Sequence, residues 1–301
     1  MGGALLLSLA IWCRLCPDVL NYAAFGCSKS VRGTMDILNY LQAAFLGLVE
    51  GITEFLPVSS TGHLILLVDL LGFQGPPGAL FEIVIQLGAI LAVVWVYRTK
   101  IMSVFVGLPT ESSARRFTLN IFLAFLPAVV IGALSYDLIK SVLFSPWVVS
   151  TMLIVGGIAI IIIEKLQRQE HYHLPEEIPP IKALAIGLFQ CTAMIPGVSR
   201  SGATIMGALL VGVERRAAAE FSFLLAIPTI LAATAYDLYR NYESLTTDSI
   251  MLIAVGFITA FIVAMLVVRG VLVFISRHGY VPFAIYRIIV GTIMLAILFL
   301  R

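Results

Sequence analysis

Long apolar blocks alternate with short polar clusters along the chain. A helix needs about 20 apolar residues to cross the hydrocarbon core of a bilayer. Six blocks approach that length: 79–97, 117–138, 147–163, 218–238, 250–268 and 282–300. Two more apolar regions, 37–72 and 182–212, are interrupted by Gly, Pro, Ser and charge, so neither half of either can cross alone. The pattern predicts an all-α polytopic membrane protein with six transmembrane helices and two re-entrant helix hairpins.

The two interrupted regions repeat each other. A shift of 140 residues lays GLVEGITEFLPVSSTGHLI (47–65) over GLFQCTAMIPGVSRSGATI (187–205) without a gap. Gly47, Leu48, Val58, Ser59, Gly62 and Ile65 meet identical residues, while Glu50 lies over Gln190, Ser60 over Arg200 and Thr61 over Ser201. A weaker echo, at another offset, pairs FLPAVVIGALSYDL (125–138) with AIPTILAATAYDL (226–238). Broken helices repeated in two halves mark inverted-topology membrane proteins. Three spans per half, about 35–163 and 182–301, would turn the halves upside down and let the hairpin tips meet near mid-membrane. Irregular backbone at that depth has to be buried in protein or line a water cavity.

Composition agrees. Hydrophobic residues make up 60% of the chain and charged ones 12%, against about 25% charged in a soluble domain. The formal net charge of +2 says less than its distribution. With alternating spans, Arg98, Lys100, Arg115, Arg116, Lys165, Arg168, Lys182, Arg215, Arg216, Arg269 and Arg277 share one side, and only Lys140, Arg240 and Arg301 face the other. The positive-inside rule puts the larger group in the cytoplasm. Residues 1–34 carry a short apolar run with no basic residue before it, unlike a signal peptide. They read as an extension ahead of a single domain over 35–301, with a weak signal or anchor segment as the alternative. Cys13 and Cys16 form a C-x-x-C with no second pair to complete a metal site.

Polar chemistry concentrates in the interrupted regions. Glu50 and Glu54, four apart, share a helical face, and carboxylates within a membrane are costly. They suit a divalent cation, which takes hard oxygen ligands, or one serves as a general acid or base. An acidic face meeting water at the membrane lip is the plainer alternative. Pro57 ends a half-helix, and Ser59, Ser60 and Thr61 suit the N-cap of the next, where free N–H groups favour an anion. Gly62 allows close backbone approach, a serine can be a nucleophile beside a base, and His63 is a candidate base or acid. Capping alone would also explain the hydroxyls. In PGVSRSGAT (196–204), Arg200 lies between Ser199 and Ser201 and ahead of Gly202; its planar fork suits phosphate, or it simply pairs with Glu50 or Glu54. Glu82 and Gln86 share another helical face, and Glu220 opens EFSFLLAIP; each backs the site or sits near a headgroup. Tyr286 and Arg287 read as interface anchors, and His171-x-His173 as part of a solvated loop.

These motifs identify a resemblance. VEGITEFLPVSSTGH, FEIVIQLGAILAVV, PGVSRSGATI, EFSFLLAIP, AVGFITAF and PFAIYRIIVG, in this order from about Met35 to the C-terminus, resemble the undecaprenyl pyrophosphate phosphatase family of bacterial inner membranes, the bacitracin-resistance type. The resemblance implies hydrolysis of a C55 isoprenyl pyrophosphate to the monophosphate and inorganic phosphate, recycling the carrier for cell-wall precursors. It implies six spans with two re-entrant hairpins, a site facing the periplasm, and a requirement for Mg²⁺ or Ca²⁺, for which Glu50 and Glu54 are the candidate ligands. It puts functional roles on Glu50, Glu54, Ser59, Ser60, Thr61, His63, Ser199, Arg200 and Ser201. The expected partners are a polyprenyl pyrophosphate and membrane lipid, not nucleic acid, with a homodimer as an open assembly. Ser60 is the expected nucleophile, with His63 or Glu54 taking its proton. The rival reading is a transporter or flippase for a lipid phosphate or small anion, since a midplane anion site between broken helices also describes carriers.

Overall fold

In the computed structural model, residues 37–75, 80–138, 143, 145–166, 170–241 and 247–300 are described. The segment 1–34 with its cysteines, and the charges Lys140, Arg168 and Arg301, lie outside them. Ala43–Arg301 form one compact unit, and Ile37–Gln42 belong to another.

The described chain is helical: α1 (Ile37–Thr53), α2 (Ser60–Leu71), α3 (Leu80–Val96), α4 (Arg98–Gly107), α5 (Ser112–Leu138), α6 (Pro146–Leu166), α7 (Pro180–Cys191), α8 (Arg200–Leu210), α9 (Arg215–Asn241), α10 (Thr247–His278) and α11 (Val281–Leu300). Five of these, α5, α6, α9, α10 and α11, are long and apolar enough to cross a membrane; α3 and α4, bent by 68° at Tyr97, make a sixth when taken as one span. Large apolar side chains such as Leu134, Leu266 and Phe299 stand on the outer surface, as lipid-facing positions should.

The expected spans are found, with different ends. The block 250–268 is part of a 32-residue α10, because Arg269 and Arg277 end the apolar stretch without breaking the helix. The interrupted regions give half-helices: α2 has 12 residues and α8 has 11. At about 1.5 Å rise per residue, each reaches roughly 18 Å, well short of a bilayer core of about 30 Å.

Without a hydrophobic force between helices in lipid, close packing depends on small residues. A Cβ on Gly157 would lie 2.8 Å from the Ala284 carbonyl oxygen, and one on Gly291 would lie 2.7 Å from that of Ser150. These two glycines bring α6 and α11 into backbone contact. That approach carries Tyr286 and Arg287, on α11, to the ends of the broken helices.

Candidate active site

Both half-helices begin with the same strained cap. Ser59 (φ 69°) and Ser199 (φ 81°) are the non-glycine residues with positive φ among the described residues. Such backbone costs on the order of 1–3 kcal/mol and persists where surrounding contacts enforce it. The Ser59 hydroxyl accepts from the Gly62 N–H at 3.3 Å, and the Ser199 hydroxyl from the Gly202 N–H at 3.1 Å. The repeat read from sequence therefore extends to backbone geometry. The two turns also touch: the Ser201 hydroxyl donates to the Leu56 carbonyl at 2.7 Å, and Ser199 and Ser201 bond each other at 3.0 Å.

The first hairpin supplies Ser60 and Glu54, and the second supplies Arg200. The Ser60 hydroxyl donates to one Glu54 carboxylate oxygen. Arg200 donates to the other at 2.7 Å. Arg200 is steadied by the Ser222 carbonyl at 2.9 Å, while its buried Nε has no partner. Glu54 thus sits between a hydroxyl and a guanidinium, with both oxygens used. Arg200 does pair with a glutamate, and the same carboxylate accepts from Ser60. In protein interiors, removing one member of a buried ion pair costs about 3–5 kcal/mol.

These groups open onto a cavity of about 490 Å³. Glu54, Ser59, Ser60, Thr61, Ser199 and Arg200 line it; Glu50, Gly62, His63, Ser201 and Gly202 do not. Glu82 and Gln86 line it too, and Gln86 donates to the Thr61 hydroxyl at 3.2 Å; Glu220 instead pairs with Arg216 at 3.2 Å. The opposite walls are the weak echo seen in sequence. Helices α5 and α9 each carry an internal proline, Pro127 and Pro228, and present small apolar residues, among them Ala128, Gly132, Ala232 and Ala233. The cavity is polar where the hairpins meet and largely apolar along α5 and α9, where Thr229, Tyr236 and Asp237 are the polar exceptions, the character of a site for an anionic head on an oily tail.

Both ring nitrogens of His63 are engaged by partners other than Ser60. Its Nδ1 lies 2.8 Å from the Ser59 carbonyl oxygen and its Nε2 2.8 Å from the Tyr286 hydroxyl. Glu50 lies fully buried behind the cavity, and neither carboxylate oxygen has a hydrogen-bond partner.

The expectation for the last span is corrected. Arg287 is no interface anchor: it is 1% exposed and donates to five backbone carbonyls. Two, Met152 (3.1 Å) and Leu153 (3.3 Å), lie in α6. The other three are Pro57 at 3.0 Å in the first turn, and Gly197 at 2.8 Å and Val198 at 2.9 Å in the second. One guanidinium ties both hairpin turns to α6. Gly156 makes room for it, since a Cβ there would run into the guanidinium. Tyr286 remains 43% exposed, but its hydroxyl is used on His63.

The His171-x-His173 loop is solvated, as expected. The His173 ring contacts Glu214 at 3.3 Å. The backbone N–H groups of His173 and Leu174 donate to Glu177 and hold its carboxyl below the usual range.

Comparison with known proteins adds to this geometry. The family model of the bacitracin resistance protein BacA matches residues 43–293. Undecaprenyl-diphosphatase 2 of Paramagnetospirillum magneticum is 52% identical over 261 residues, covering 87% of this chain and 100% of that protein. Undecaprenyl-diphosphatase 1 of Pseudomonas fluorescens is 53% identical over 262 residues (87% and 95%). The undecaprenyl-diphosphatase of Sinorhizobium medicae is 55% identical over 253 residues (84% and 94%).

Proposed function

The chain belongs to the family of the bacitracin resistance protein BacA, and we infer from that membership and from the cavity how it acts as an undecaprenyl-diphosphatase. It hydrolyses undecaprenyl pyrophosphate to undecaprenyl phosphate and inorganic phosphate, within a membrane. The observation that carries the mechanism is the pair of contacts on Glu54: Ser60 on one oxygen, Arg200 on the other.

Our reading of the steps is this. The pyrophosphate enters the polar end of the cavity while the isoprenyl chain follows the apolar walls of α5 and α9. Glu54 takes the Ser60 proton as the serine oxygen attacks the terminal phosphorus. The bond from that phosphorus to the bridging oxygen breaks, and undecaprenyl phosphate leaves with the electron pair. Water then attacks the phosphoserine and keeps both its hydrogens on the departing phosphate, while Glu54 returns its proton to the serine oxygen. Arg200, whose Nε is unsatisfied in the protein, and the N-termini of α2 and α8 neutralise charge on the transferring phosphoryl group, where positioning and electrostatics supply most of the catalysis.

A divalent cation fits this donor set in one respect. Glu50 offers two buried carboxylate oxygens with no other partner, next to a Glu54 already engaged. Among the described residues no group of three or more His, Cys, Asp or Glu could hold a metal. That suits Mg²⁺ carried by one or two carboxylates plus substrate phosphate rather than an all-protein cage. Glu50 would be its carboxylate ligand, since both Glu54 oxygens are taken by Ser60 and Arg200, and when bound it would supply positive charge to the pyrophosphate oxygens. The charge asymmetry of the loops supports a cavity opening on the periplasmic side of the inner membrane, and the odd number of spans between the hairpins supports their inverted arrangement.

Acid quench during turnover of radiolabelled substrate tests the covalent step. The expected product is phosphoserine at residue 60. Turnover with no trapped phosphoserine, together with near-normal activity of Ser60→Ala, would overturn it.

A further inference from the structure

The two hairpin turns form an internal comparison. Both hold a serine at positive φ, and both cap it with a glycine N–H three residues on. Only one carries a further clamp. At the first turn, the Ser59 carbonyl accepts from the backbone N–H of His63 at 3.1 Å and from its Nδ1 at 2.8 Å. At the second, the residue in the matching position is Ala203, and among the described residues the Ser199 carbonyl accepts its backbone N–H alone, at 2.9 Å. A positive-φ serine therefore forms without the clamp. The clamped turn is the one that presents Ser60; the unclamped turn presents Arg200, whose long side chain is fixed by Ser222 and Glu54. A serine hydroxyl has one rotatable bond to its backbone, so its aim depends on the turn beneath it.

A carbonyl oxygen only accepts, so Nδ1 of His63 carries a proton. In the neutral ring Nε2 is then the acceptor, and the hydroxyl 2.8 Å away belongs to Tyr286. The two rings are parallel to within 3°. Tyr286 cannot drift, because the next residue is Arg287 with its five carbonyl bonds.

We propose that Tyr286 is a positioning residue: by donating to Nε2 it holds His63 in the Nδ1–H tautomer, and His63 in turn fixes the Ser59 carbonyl and the aim of the Ser60 hydroxyl. His63 on this view is not the base. The inference rests on Ser60 being the nucleophile, and its test has an arm that does not depend on turnover.

The chain has four histidines. Replacing His171, His173 and His278 with Gln leaves His63 as the sole imidazole for ¹⁵N NMR. In that background the ring should show protonated Nδ1 and bare Nε2 near neutral pH, and Tyr286→Phe should mix the tautomers. On polyprenyl pyrophosphate, Tyr286→Phe should lower kcat about five- to tenfold, the value of one neutral hydrogen bond, and leave KM within about twofold. His63→Asn, whose amide N–H can still reach the Ser59 carbonyl but which cannot act as a base, should turn over at least about tenfold faster than His63→Ala, on the same hydrogen-bond scale. An Nε2–H or doubly protonated ring in the parent protein, unchanged kcat in Tyr286→Phe, or equal inactivity of His63→Asn and His63→Ala would each overturn the proposal. Normal tautomer behaviour with no phosphoserine at Ser60 would instead contradict the nucleophile assignment alone.

Discussion

Replacing Arg287 with Met keeps most of the volume of the side chain and removes every donor. Five carbonyls lose a partner, but not equally. Met152 and Leu153 lie inside α6 and keep their helical hydrogen bonds. Pro57, Gly197 and Val198 lie in the two turns, where no other backbone N–H among the described residues is bonded to their oxygens. Three orphaned carbonyls at about 0.6–1.7 kcal/mol each, the range for hydrogen bonds within membrane proteins, amount to about 2–5 kcal/mol. That cost falls on the two turns that bring Ser60 and Arg200 to Glu54. Arg287→Met purified in mild detergent should therefore unfold at a distinctly lower temperature than the wild type and lose phosphate release by at least about 100-fold, since displacement of reacting groups by 1 Å costs that much. Arg287→Lys, with three donors at a single point, should fall between. Thermal unfolding followed by circular dichroism and a phosphate-release assay check both numbers. Wild-type stability and turnover in Arg287→Met would refute the idea that this guanidinium holds the turns.

Gly156→Ala should repeat part of this effect without touching Arg287 itself, because the new Cβ would push into the guanidinium; unfolding temperature and turnover should drop together. Gln86→Leu removes the donor to Thr61 and should raise KM more than it lowers kcat, read from steady-state kinetics on a polyprenyl pyrophosphate. Glu50→Gln should raise the half-saturating concentration of added Mg²⁺ or Ca²⁺ by at least about tenfold, the lower end of what disturbing even the outer shell of a metal site costs; an unchanged cation titration would remove Glu50 from the metal site.

Much of the fold was legible because lipid imposes a simple rule: spans must be long, apolar and helical. The ends were less so. Arg269 stops the apolar block of α10 without breaking the helix, and Arg277 in its last turn favours the C-terminal end electrostatically, so the helix continues past the pattern. The capping serines were legible from their residue type and from the repeat, whereas their positive φ was not, because that conformation is normally signalled by glycine. Glu54 with Arg200 was foreseen as one of two pairings. For His63 the sequence shows its neighbours in the chain and not the Tyr286 hydroxyl, 223 residues away, that engages its Nε2. Arg287 left no signal at all. Its partners are backbone carbonyls, which have no residue identity, so an arginine in an apolar helix is read by default as a charge reaching for the surface.

On the proposed mechanism, Glu54 serves Ser60 and Arg200 together, at one site, in phosphate release from a polyprenyl pyrophosphate. Wild type, Glu54→Gln and Ser60→Ala, each checked for folding by thermal unfolding, are compared in one assay with inorganic phosphate as the readout. The wild type should release phosphate robustly, and both variants should fall by at least about 100-fold, the scale on which general-base and nucleophilic contributions operate. Release by a well-folded Glu54→Gln or Ser60→Ala at a rate near that of the wild type would contradict that mechanism.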